Sequence, residues 1–218
     1  MGSLWWFLCA IIALFCWSGS DLFSKIGCRD EDDKTSHLKM VVAVGVVMGL
    51  HAAYEIFIGG VDISFDVIIR YLPVSLLYIS SMTIGYLGLR YIELSISSPI
   101  CNSSGAMVAV LIFATKGIGE DCPPAALVAV ALVSIGVISL GITEAREDEE
   151  LRAARQSAAN RKYAKSWIAI AIPVVYCLLD ALGGYADSRV LETLDESSAN
   201  VAYELTFLFT AAVCAVIL

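Results

Sequence analysis

Charge is scarce in this 218-residue chain: Asp, Glu, Lys and Arg make up 17 % of it, against about 25 % in a soluble domain. There are only two histidines and five prolines. The seven cysteines (Cys9, Cys16, Cys28, Cys101, Cys122, Cys177, Cys214) never form a C-x-x-C pair, which argues against a zinc site or a disulfide framework and for small packing residues. Walker A, H-E-x-x-H and G-x-S-x-G motifs are missing, as is a dinucleotide fingerprint after a strand. The expectation is therefore no enzyme, no cofactor and no metal, and any transport is expected to be secondary and not ATP-driven. No Lys or Arg precedes the first apolar run and no small-residue cleavage site follows it, so no removable signal peptide is expected.

What fills the chain is apolar: 58 % hydrophobic residues and a mean hydropathy of +0.77. A helix crossing about 30 Å of hydrocarbon needs about 20 mostly apolar residues. Seven segments qualify, at about residues 4–27, 37–59, 68–92, 95–118, 124–143, 166–187 and 198–218. Their continuous runs suit helices, not the period-two strands of a closed barrel. The fold class expected is all-α, a polytopic helical membrane protein with about seven transmembrane helices. Residues 143–165 form a charged polar linker whose acids and bases are mixed, which favours a solvated hinge over a nucleic-acid or anionic-lipid patch. The partners expected are the lipid bilayer and a small-molecule solute, with no nucleic acid.

The segment WIAIAIPVVYCLLDALGGYADSRV after the linker aligns loosely with WFLCAIIALFCWSGSDLFSKI at the start: Trp6 with Trp167, Phe15-Cys16 with Tyr176-Cys177, then small and acidic residues. A repeat unit of five helices is odd in number and would insert its second copy upside down. Residues 86–142 carry Leu87 to Tyr91, the polar run Ser95 to Ser104, Gly119-Glu120, and Gly136 and Gly141; FCWSGSDLFSKIG opens the chain. In order and spacing these resemble the EamA-like family of the drug/metabolite transporter superfamily. The resemblance implies a first five-helix repeat over 1–142, complete, and a partial second, inverted repeat over 166–218. It also implies secondary transport of a small organic solute in the cell membrane, coupled to a proton or ion gradient, by alternating access. Such proteins have ten helices, so the expectation is a chain truncated after seven, or a homodimer if it is naturally short. The alternatives are a seven-helix receptor or sensor and a non-transporting truncated membrane subunit. Eleven Lys and Arg lie on the side of the first, third and fifth connections and three on the other, which puts the N-terminus outside, against the cytoplasmic N-terminus the resemblance implies.

Polar atoms in hydrocarbon are costly and should face the bundle interior, which selects the candidates. Ser18, Asp21 and Lys25 share one face of the first helix, where Asp21 and Lys25 could neutralise one another or sit at the helix end. Tyr78 and Tyr86 follow a helical spacing with Ser75 and Met82. Ser95, Ser98 and Asn102 align beside Pro99, which frees a backbone carbonyl. Asp180 is an acid near mid-helix with Tyr176 one turn before it. The solute site expected is thus Ser18, Asp21, Tyr78, Tyr86, Asn102, Tyr176 and Asp180, with the two acids supplying charge. Glu204 is a further acid inside an apolar run, one turn after Asn200 but closer to an edge, whereas His51 and Glu55, four apart with no metal set to complete them, read as packing or interface positions.

Overall fold

The computed structural model describes residues 2–28, 30, 32–91, 94–119, 123–145 and 167–218. The expected linker, 143–165, falls almost wholly outside the described residues. Every expected apolar segment is helical, and no strand occurs among the described residues. The helices are α1 Gly2–Gly27, α2 Ser36–Tyr54, α3 Phe65–Tyr91, α4 Leu94–Cys101, α5 Ser104–Lys116, α6 Pro124–Ala145, α7 Trp167–Val190 and α8 Glu196–Ile217. Among the described residues, five spans are long and apolar enough to cross a membrane: Phe7–Gly27, Ser36–Gly59, Phe65–Arg90, Ser97–Lys116 and Glu196–Ile217. The α6 helix adds a shorter apolar stretch, Pro124–Ser139, and α7 is 24 residues long. The chain is a multi-pass helical membrane protein.

Local chemistry sets the helix ends. Before α2, the Asp33 carboxylate accepts from the Thr35 amide (2.9 Å), the Thr35 hydroxyl (2.8 Å) and Lys39 Nζ (2.7 Å). That arrangement folds the chain into the turn from which α2 starts. Asp195 caps α8 by accepting from the Ser198 amide at 3.0 Å. Beyond Tyr54, α2 widens into a π-helical turn, Glu55–Gly59, and stops at Gly60, whose φ of 72° is left-handed and suits glycine. Pro99 cannot donate to the helix ladder, and the fourth expected segment breaks three residues later at Asn102 and Ser103, which separate α4 from α5.

Long-range bonds define which helix ends lie together. Lys116 pairs with Glu192 at 3.0 Å, Arg70 donates to Thr193 at 2.9 Å and Ser198 donates to the Asp62 carbonyl at 3.1 Å. At the opposite end, Arg90 donates to the Lys34 carbonyl at 2.6 Å and Lys25 to the Leu89 carbonyl. The helices therefore alternate up and down. One end, here the first face, collects 60–64, 117–119 and 191–195; the other, the second face, collects 28, 30, 32–35 and the ends of α3 and α6. In the interior α8 packs on α2 and α3, α3 on α7, and α7 on α4 and α5. Phe207, Val41, Val74 and Val201 are buried at this centre. By contrast α1 leaves Trp5, Phe15 and Phe23 about 70 % exposed, an apolar surface suited to lipid.

Candidate functional site

A cavity of about 290 Å³ lies between α1, α2, α3, α4, α7 and α8. Its floor and walls are mainly apolar or aromatic, with Val44 and Met48 from α2, Met82 and Tyr86 from α3, Tyr176 from α7 and Tyr203 from α8. Polar groups come from two helices: Ser20, Asp21 and Ser24 from α1, and Ser97, Ser98 and Asn102 from the broken α4. An apolar pocket with a few convergent polar groups is the usual form of a small-molecule site.

Asp21 is the one charged residue among the described residues lining the cavity. Ser98 Oγ donates to Asp21 Oδ2 at 2.7 Å, and Asn102 Nδ2 reaches the same oxygen at 3.4 Å. The Asn102 amide also donates to the Ser98 carbonyl and hydroxyl, both at 2.9 Å. Asn102 is therefore held at the helix break, where the Ser98 carbonyl accepts both its side-chain amide and, at 2.9 Å, its backbone amide. Lys25 turns away to the Leu89 carbonyl of α3. Of the two answers open for Asp21 and Lys25, each has a partner on another helix: the acid faces the cavity, and the base ties α1 to the end of α3.

The structure brings four of the seven expected residues together, Asp21, Tyr86, Asn102 and Tyr176, and leaves three elsewhere. Ser18 is exposed and its hydroxyl bonds back to the Leu14 carbonyl at 2.9 Å, as serine in a lipid-facing helix does. Tyr78 lies over Gly183, meets the Tyr203 ring edge-on at 5.8 Å and does not line the cavity. Asp180 stands half-buried behind the cavity wall: Ser104 donates to Oδ2 at 2.6 Å and Ser81 to Oδ1 at 3.4 Å. That carboxylate joins α3, α5 and α7, so its mid-helix position reflects a polar tie between helices. Of the aligned serines, Ser98 enters the site through Asp21.

Several lining residues carried no signal in the sequence. Tyr203 and Met48 belong to helices far apart in the chain, and only packing brings them to the wall. Gly85 is legible afterwards: a Cβ there would lie 2.8 Å from the Tyr176 ring, so only glycine lets that ring rest against α3.

The two ends of the bundle differ. The polar lining belongs to the ends of α1 and α4 near the second face. Toward the first face, Tyr71 donates to Asp187 at 2.6 Å, Tyr78 packs on Tyr203, and Arg189 shares Glu192 with Lys116. These contacts bind α3, α5, α7 and α8 to one another beneath the cavity. Comparison with family models, curated proteins and solved structures finds no match to this chain.

Proposed function

We propose that this chain is a secondary transporter of a small organic solute, working by alternating access in the cell membrane, as its resemblance to EamA-like transporters implies. The observation that carries this reading is the cavity: one carboxylate, Asp21, set by Ser98 and Asn102 at a helix break, faces aromatic and thioether surface from four other helices. Broken helices that aim polar groups at a site between rocking bundles are the recurring architecture of secondary transporters. A lone acid in such a cavity suits a solute with a cationic or hydrogen-bond-donating group and an apolar body. The ties from Tyr71 to Asp187 and from Lys116 to Glu192 favour a state closed at the first face and accessible from the second.

The test is reconstitution of the full chain in proteoliposomes, with counterflow of radiolabelled amino acids and organic amines. Saturable exchange that falls at least tenfold in Asp21→Asn supports the reading. Exchange no faster than leak through empty liposomes, across both solute classes, sinks it and leaves a receptor or a non-transporting subunit.

A further inference from the structure

A second polar group lies inside the membrane, apart from the cavity, between α2 and α8. His51 Nδ1 stands 2.8 Å from Glu204 Oε1, and His51 Nε2 stands 3.7 Å from Glu55 Oε1. The carboxylates thus occupy the two nitrogen positions of one imidazole. Glu204 is 7 % exposed, and its second oxygen, Oε2, is buried with no hydrogen-bond partner. His51 is half exposed and Glu55 less so. His51 and Glu204 each lie about eight residues, or about 12 Å, inside the first face, and Glu55 lies one helical turn nearer to it. The three form a stair from the membrane border to a buried acid.

With a neutral imidazole and both carboxylates ionised, this group would hold two negative charges in hydrocarbon, beside an acceptor oxygen with nothing to accept. Charge at such depth is strongly disfavoured unless compensated. The groups that act on Glu204 are His51, Glu55 and Asn200. The Tyr54 ring lies 6.4 Å from the imidazole, and Tyr203 is the neighbouring ionisable group on α8. From α3, which packs on both helices, Tyr78 and Tyr86 lie beyond Tyr203. On α1, Asp21 and Lys25 sit toward the opposite face. Among the described residues no Lys or Arg completes the group, and no set of His, Cys, Asp and Glu suited to a metal occurs. A proton is the cation left that fits: it lowers the buried charge, and a protonated carboxyl turns an orphaned acceptor into a donor.

We propose that Glu204, His51 and Glu55 form an intramembrane proton-binding site reached from the first face. Glu204 is the buried acceptor, His51 the relay, and Glu55 the entry group. Its position gives it a use. The same two helices line the solute cavity, α2 with Val44 and Met48 and α8 with Tyr203, the residue next to Glu204. Loading or releasing the proton changes the attraction between α2 and α8 and so the wall of the cavity. That coupling rests on the transporter reading; the proton site itself does not.

Infrared difference spectroscopy of the full chain in lipid nanodiscs, without any solute, tests the site. Spectra between about pH 5 and pH 8, where imidazole-linked protons move, should show a protonated carboxyl band that grows on acidification. The band should vanish in Glu204→Gln, and in His51→Gln its midpoint should move by about one pH unit or more. A band unchanged in Glu204→Gln, or no titrating carboxyl band in the native chain, overturns the proposal. Should Glu204→Gln fail to fold, an unmoved midpoint in His51→Gln overturns it equally. Because no solute is present, failure here is distinct from failure of the transport assay.

Discussion

Individual side chains divide into those with a task in water and those with one in hydrocarbon. Asp33 belongs to the first group: bonds from Lys39 and Thr35 hold its carboxyl down to about 2, below its ordinary 3.8. Its folded value is depressed, so its stabilisation is complete above about pH 4 and is lost as pH falls through about 2. Acid should therefore loosen the start of α2 only in that window, and hydrogen exchange of the Lys39 and Met40 amides should show it; early exchange already at pH 5 would contradict the turn. Cys28 sits just past α1 and is 1 % exposed, and burial pushes its thiol up to about 11. At neutral pH it is held as an inert thiol. A charged maleimide should leave Cys28 unmodified in the folded chain and react after denaturation, as intact mass spectrometry would read.

Helix pairs decide how far sequence could be read. Helix positions were legible because apolar runs of about 20 residues leave little choice, but the run 95–118 read as one helix, and its break between α4 and α5, just after Pro99, was not foreseen. The partners were not legible. Ser98 and Asp21 are 77 residues apart, His51 and Glu204 are 153 apart, and no local pattern encodes which helices meet. Glu55 and His51 read as packing or interface positions because their third member, Glu204, lies on α8. The Gly45-x-x-x-Gly49 motif, frequent by chance, has a definite use here. A Cβ on Gly45 would collide with Ala211 Cβ and stand 2.9 Å from the Phe207 carbonyl oxygen, and one on Gly49 would meet Leu208 at 2.7 Å. Without a hydrophobic force between helices in lipid, such close approach is a main source of association. Gly45→Leu should separate α2 from α8 and destabilise the fold by about 1–3 kcal/mol, seen as a lower melting temperature in detergent; an unchanged midpoint would mean the two helices do not pack there. Gly85→Ala should act differently: by pushing the Tyr176 ring toward the cavity it should weaken solute binding while the chain stays folded.

Over the whole molecule, charge and topology together set an orientation. The bonds from Lys116 to Glu192 and from Ser198 to the Asp62 carbonyl gather one set of connections, while Arg90 with Lys34 gathers the other. In the sequence, eleven of the fourteen Lys and Arg fall in or beside the first, third and fifth connections. By the positive-inside rule the second face would lie in the cytoplasm and the start of α1 outside, the reverse of what the family resemblance implies, so the orientation is a prediction to be tested. The cavity's polar lining would face the cytoplasm in this state, and the stair of Glu55, His51 and Glu204 would face outward, where an inward proton gradient could load it. Single cysteines at Asp32 and Asp62, in a chain whose native cysteines are changed to alanine, would read the orientation in intact cells with a membrane-impermeant maleimide. Asp62→Cys should label from outside and Asp32→Cys only after the cells are opened. The reverse pattern would invert the molecule, put the proton site on the cytoplasmic side, and turn uptake driven by an inward proton gradient into a mechanism this geometry no longer favours.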